Sequence, residues 1–220
     1  LQFGPLLFHC LTTMAESIYN EAGQIRPSLL LAAYRAGLFP MAMDETGEIG
    51  WFSPDPRGIL PLDTFHIPHG LKRRLRKNPF EIRINSAFSD VMAGCAEREQ
   101  TWISRIIKDS YTRLHDLGWA HSVETWQDGV LVGGLYGVAI GGVFFGESMF
   151  SRRTDASKVA LVALVERLLE RGFTLLDTQW TTDHLKTFGC LDIPRADYLE
   201  RLEAALAIEA DFAAEVPRAG

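Results

Sequence analysis

The sequence predicts an α+β protein, a mixed sheet with flanking helices preceded by a small loop-rich unit. Three observations carry this. Asp128-Gly129 separates two alternating runs, Ala120–Trp126 and Val130–Tyr136, a strong hairpin signal. Val159, Val162, Ala163, Leu168 and Leu169 form one apolar helix face over about Ala156–Arg171, and Gly172 ends that helix. Leu175–Gln179 then reads as a buried strand. Hairpins and helices occur together without the regular alternation of a parallel sheet.

The remaining elements follow in chain order. Leu29, Leu30, Ala33 and Ala36 lie at near-helical spacing within residues 28–38, and Gly37 closes a short helix. Phe39-Pro40 and the polar loop Asp44–Gly47 come next, and the two prolines of Trp51–Arg57 argue against regular structure there. The small unit is expected over 14–65 and the larger one over 66–220. In the larger unit, Phe80–Ile84 alternates as a strand, and Ser86 resembles a helix N-cap ahead of Phe88, Val91, Met92 and Cys95. A helix fits 104–117, stopped by Gly118; a strand fits Gly142–Phe145, and a last helix 195–210. No internal repeat or low-complexity segment interrupts the chain.

The 220 residues, 47% hydrophobic and 23% charged, are enough to bury a sizeable core. Cys10, Cys95 and Cys190 are odd in number and widely spaced, unlike a disulfide framework, which points to a reducing cytoplasm. Leu6–Phe8 lacks the parts of a signal peptide, and no stretch has the apolar length of a membrane span. Residues 1–13 precede Met14 and read as an extension outside the fold. A net charge of −6 argues against a protein that coats nucleic acid. Lys72, Arg73, Arg74, Arg76 and Lys77 nevertheless gather five cations in six residues, either a solvated helix face or a site for a few phosphates.

Three segments are richer in functional groups than a core needs. Gly146-Glu147-Ser148-Met149-Phe150-Ser151 follows an apolar strand in a glycine-rich region, where a ligand or another backbone can approach closely. Asp177 and Gln179 stand two apart on a strand, so they share a face while Leu176 and Thr178 point the other way. Buried together, Asp177 or Glu147 would gain proton affinity and suit general-base work. Asp177 bonding nearby backbone is the plainer alternative. The aromatic set Tyr34, Phe39, Trp51, Trp102 and Tyr111 offers faces for stacking on a nucleic-acid end, though each taken singly is more often core. His66-x-x-His69 lacks a clear third ligand, so no metal site is expected. No serine sits in a Gly-x-Ser-x-Gly elbow and no cysteine has an evident histidine partner.

Five motifs in order, Tyr34–Pro40, Trp51–Arg57, Thr101-Trp102-Ile103, Gly146–Ser151 and Asp177-Thr178-Gln179, resemble leucyl/phenylalanyl-tRNA–protein transferases from about residue 24 to residue 200. The resemblance implies a small N-terminal domain joined to an acetyltransferase-like domain. It implies transfer of Leu or Phe from charged tRNA to proteins beginning with Arg or Lys, marking them for degradation, without a cofactor. It further implies that Asp177 and Gln179 form a proton-relay pair and that Glu147 helps hold the acceptor amine. Tyr34, Trp102 and Tyr111 would contact the tRNA 3′ end, with Met41, Trp51, Ser148 and Thr182 beside the substrate. Leu135 and Phe144 would line the side-chain pocket. Met41 replaces a tryptophan common in the family, and Thr182 an asparagine of some members; a thioether still packs on aromatics, and a hydroxyl supplies one of the amide's hydrogen bonds.

The donor ester is already activated, which agrees with the missing phosphate loop. The enzyme then has to align the amine, move its proton and stabilise the oxyanion. On this reading Gln179 bonds the attacking amine, Asp177 orients and polarises Gln179, and Glu147 favours a cationic acceptor. Two rivals are an acyltransferase using an acyl-thioester donor, for which no Gln/Arg-x-x-Gly-x-Gly loop is found, and a non-catalytic RNA-binding or adaptor module.

Overall fold

The structure is a computed structural model that describes residues 18–43, 48–77, 80–97 and 101–213. Cys10, the extension 1–13 and the loop Asp44–Gly47 lie outside the described residues.

The chain begins with α1 (Pro27–Arg35), with Pro27 in its first turn, where a missing N–H costs nothing, and Gly37 beyond its end at φ 76°. Next, β1 (Phe39–Ala42) and β2 (Ile49–Phe52) pair antiparallel as a small two-stranded sheet. The prolines predicted an irregular Trp51–Arg57, yet only its centre is irregular. Its first residues belong to β2, and Arg57 opens β3 (Arg57–Ile59). Although it lies inside the expected small unit 14–65, β3 is hydrogen-bonded into the large sheet, between two strands from the C-terminal third of the chain.

The other strands are β4 (Glu81–Ile84), β5 (Ala120–Gln127), β6 (Val130–Ile140), β7 (Val143–Ser151), β8 (Leu175–Gln179) and β9 (Leu191–Ile193). The helices are α2 (His69–Lys77), α3 (Phe88–Ala96), α4 (Arg105–Asp116), α5 (Ala156–Glu170), α6 (Asp183–Lys186) and α7 (Arg195–Leu206). The sheet order is β4-β5-β6-β7-β8-β3-β9, antiparallel throughout except for β7 against β8, so the mixed α+β sheet is as expected. Asp128 and Gly129 both take positive φ, 52° and 75°, the geometry of a two-residue hairpin turn whose twist matches its strands.

Side-chain alternation divides the core. Tyr136, Val138, Val143 and Phe145 face α1, α3, α4 and α7, while Leu135, Ala139, Phe144 and Leu176 face α5. Helix α5 ends as predicted, with Gly172 at φ 74° and the Phe173 N–H returning to the Leu168 carbonyl. Ser86 is not the N-cap of α3. Ala87 holds that position without a side-chain cap, and the N–H groups of Ser86 and Ala87, just ahead of the helix, donate to Glu124 Oε1 of β5 at 2.9 and 2.8 Å, so a buried carboxyl on the next strand fixes the entry to α3. Among the described residues no helix is long and apolar enough to cross a membrane.

The relation between β7 and β8 creates the site. Their pairing stops at Phe145↔Asp177, whereas β7 runs on to Ser151 and β8 to Gln179, after which the chain turns away into α6. The sheet therefore opens into a wedge beyond that pair.

Candidate active site

A cavity of about 700 Å³ occupies the wedge. Leu135, Met149, Leu161, Leu164, Leu176 and Leu185 form an apolar floor, and Met41, Trp102, Glu147, Ser148, Gln179 and Thr182 stand on its walls. Such a cavity suits an apolar side chain held beside a few polar groups. Leu161 and Leu164, read from sequence only as part of a helix, supply the α5 side of the floor.

Asp177 is fully buried and does not line the cavity. Its Oδ1 accepts from Arg57 Nε at 2.9 Å and from the Gln179 backbone N–H at 2.8 Å. Its Oδ2 accepts from Arg57 Nη2 at 2.6 Å and from the Tyr198 hydroxyl at 2.8 Å. Arg57 is likewise fully buried, and its Nη1 donates to the Gly37 carbonyl at 2.9 Å. Burial opposes the charge on Arg57, but the adjoining Asp177 carboxylate more than offsets this and holds the guanidinium above its ordinary value.

Gln179 departs from strand geometry with φ 58°, and the Trp180 N–H closes a tight turn around it onto the Thr178 carbonyl at 2.6 Å. The expected common face for Asp177 and Gln179 is therefore broken: Gln179 lines the cavity together with Leu176 and Thr178, and Asp177 stays behind it. The side-chain amide of Gln179 donates not to Asp177 but to Glu147 Oε1, at 3.4 Å.

Glu147 is half-buried on the cavity wall, with its carboxyl turned towards two fully buried tyrosines. Oε1 accepts from the Tyr34 hydroxyl at 2.6 Å, and the single proton of the Tyr111 hydroxyl is shared between the Tyr34 oxygen and Oε2, the latter 3.4 Å away. Burial pushes Glu147 up to about 8; the Asp177 charge adds to this, while the Tyr34 hydrogen bond and Arg57 oppose it. Its proton affinity is thus close to that of an α-amino group, roughly 8. Burial also raises Tyr34 and Tyr111 well above their ordinary range, so both remain hydrogen-bond donors.

The sequence-predicted residues divide by position. Met41, Trp102, Leu135, Glu147, Ser148, Gln179 and Thr182 meet at the cavity. Tyr34 and Tyr111 expose no surface, so they reach the site through Glu147 and offer no face for stacking. Phe144 is also fully buried, 5.1 Å from the Phe212 ring, and packs in the α5-side core rather than on the cavity wall. Trp51 sits opposite Pro40 in the small sheet, packed against the core and outside the cavity lining. Thr182 has a second task, accepting the Leu185 N–H as N-cap of α6. Lys72, Arg73, Arg76 and Lys77 are on α2, with Arg74 partly buried beside them, its Nη2 reaching the Thr154 carbonyl at 3.3 Å. Sequence reasoning missed Arg57 and Tyr198. Arg57 belongs to the motif Trp51–Arg57, where nothing in the sequence supplies a partner for it, and Tyr198 reads as an ordinary helix position.

The family described as leucyl/phenylalanyl-tRNA protein transferase matches residues 59–203, and its N-terminal domain matches 23–55. Proteins named leucyl/phenylalanyl-tRNA–protein transferase are similar to this chain. That of Akkermansia muciniphila is 54% identical over 187 residues, 83% of this chain and 97% of its own length. That of Herpetosiphon aurantiacus is 55% identical over 190 residues, 86% and 98% respectively. That of Salinibacter ruber is 53% identical over 188 residues, 86% and 83%. Among solved structures, the Brucella melitensis ribosomal-protein-alanine N-acetyltransferase is 16% identical with TM-score 0.36, over 64% of this chain and 99% of that one. L-PGS from Bacillus licheniformis is 15% identical with TM-score 0.41, over 70% of this chain and 50% of that one. Both likenesses are loose.

Proposed function

The chain belongs to the leucyl/phenylalanyl-tRNA–protein transferase family, enzymes of aminoacyl transfer from tRNA to protein, and on that premise we propose that it moves Leu or Phe onto acceptors beginning with Arg or Lys. The observation that carries this reading is an apolar cavity closed on one wall by Gln179 and Glu147. The cavity holds the Leu or Phe side chain, and the ester carbonyl lies beside the polar wall.

The acceptor's α-amine attacks the ester carbonyl. A C–N bond forms, the C–O bond to the tRNA 3′ ribose breaks, and one proton passes from nitrogen to the leaving oxygen. An amide is too weak a base to take that proton. Gln179 instead aligns the amine: its Nε2 is engaged by Glu147, and its carbonyl oxygen accepts an amine N–H. The ionised fraction of Glu147, the smaller one at neutral pH, takes the proton and returns it to the ribose oxygen. Trp102 and Met41 flank the terminal adenosine, Ser148 and Thr182 present hydroxyls, and the cations of α2 meet tRNA phosphates. We place the junction between the small and large units ahead of β3, because Arg57–Ile59 is paired within the large sheet. The reaction sits in the cytoplasm, where charged tRNA is found, and marks its products for degradation.

The test is transfer of labelled Leu and Phe from charged tRNA to peptides beginning with Arg, Lys or Ala. Label on the first two alone is expected. Binding of tRNA without label on any peptide would favour the adaptor reading.

A further inference from the structure

We infer that Arg57 and Tyr198 are positioning residues: they hold Asp177 so that its carboxylate pins the Gln179 main chain in a left-handed turn, which aims the Gln179 amide into the cavity. The inference rests on the transfer reading above for its functional half and on geometry alone for its conformational half.

Positive φ is uncommon outside glycine, and Gln179 holds it in a turn closed by an i→i+2 hydrogen bond, a strained form that persists only where neighbours over-determine it. The neighbours are identifiable. A carboxylate offers about four lone-pair sites. In Asp177 all four are occupied: two by Arg57, one by the Tyr198 hydroxyl and one by the Gln179 backbone N–H. Fully buried and saturated, Asp177 has nothing left to offer a substrate; its one link towards the cavity is the Gln179 N–H.

Arg57 gathers three parts of the fold on this carboxylate. Its Nη1 bonds the Gly37 carbonyl just beyond α1, its strand pairs with β8, and its guanidinium carbon lies 4.4 Å from the centre of the Tyr198 ring on α7. Gly58 completes the arrangement. It is paired with Gln179, and a Cβ there would come within 2.5 Å of the Trp180 carbonyl carbon, so only glycine lets β3 lie flush against the turn. Had β8 continued extended, Gln179 would share the inward face of Asp177. The turn instead brings it beside Leu176 and Thr178 on the cavity wall, where Glu147 engages its amide.

The experiment combines amide hydrogen exchange with single-turnover transfer on the full chain, comparing the parent with Tyr198→Phe and Arg57→Lys, each also in a Gln179→Ala background. Tyr198→Phe keeps the ring and its packing, so it remains informative if Arg57→Lys fails to fold. The expected result is faster exchange at the Gln179 and Trp180 N–H with the remainder of β8 unchanged. Tyr198→Phe should lower the transfer rate by about fivefold, the worth of one hydrogen bond, with KM for charged tRNA and peptide unchanged. That loss should vanish when Gln179 is already Ala, because residues acting through one group are not additive. Unchanged exchange, or the same fold loss in the Gln179→Ala background, would overturn the inference. A parent that transfers nothing would overturn the proposed function and with it the positioning role, even where exchange reports an intact clamp.

Discussion

The Arg57 guanidinium grips the Asp177 carboxylate through contacts of 2.9 and 2.6 Å, with neither side chain exposed. Removing one partner leaves the other charge buried and uncompensated. Asp177→Ala is therefore expected to destabilise the protein by about 3–5 kcal/mol, measured by urea unfolding. A change below about 1 kcal/mol would show that the pair is not the closed ion pair described.

Glu147 gives the protein a pH signature. Burial lifts its folded value to about 8 from an ordinary 4.5, so between these values the native state binds more protons than the unfolded state. Its contribution is complete below 4.5 and lost as pH rises through 8. Urea midpoints of the parent should accordingly carry a downward component over that window, and Glu147→Gln should remove it. Parallel pH profiles for the two proteins would contradict the assignment.

The floor of the cavity sets the donor side chain. Leu164→Phe, on the α5 side, should lower kcat/KM for both donors by about tenfold or more, and for Phe more than for Leu, since a methylene-scale change in an apolar pocket amounts to about 1–3 kcal/mol. Equal kcat/KM for both donors, unchanged from the parent, would place the side chain elsewhere.

The cations of α2 make a salt-dependent prediction. Replacing Lys72 and Lys77 by Ala should weaken tRNA binding and lower the slope of log affinity against log salt by about one for each phosphate no longer neutralised. A slope equal to the parent's would make α2 a solvated face.

Much of the fold was legible because its strongest signals are local. The hairpin at Asp128-Gly129, helix α5 closed at Gly172 and the buried run Leu175–Gln179 need no knowledge of distant partners. The strands β1, β2 and β9 were not legible: at three or four residues each they show no periodicity, and their existence depends on pairing with remote segments. The start of α3 is hidden for a similar reason, since Glu124, which holds the N–H groups of Ser86 and Ala87, lies on another strand. At the site, Glu147 and Gln179 stood out as polar residues in apolar surroundings. Strand alternation then misdirected the reading of Gln179, because no sequence signal marks a left-handed glutamine. Arg57 was the converse case, its role visible only once β3 lies beside β8. The resemblance puts Tyr34 and Tyr111 at the tRNA 3′ end, while taken singly each aromatic is more often core, and nothing in the sequence tells a stacking face from a buried hydrogen-bond donor.

The central claim is that this cavity joins a tRNA-borne amino acid to a protein amine, aligned by the Gln179 amide. The most direct measurement is single-turnover transfer of labelled Leu or Phe from charged tRNA to a peptide beginning with Arg, for the parent and Gln179→Ala. Label in the parent, slowed by about a hundredfold in Gln179→Ala with tRNA affinity unchanged, is the predicted result for a residue that acts by orientation. Equal rates in the two proteins, or no label from a parent that binds charged tRNA, would contradict it.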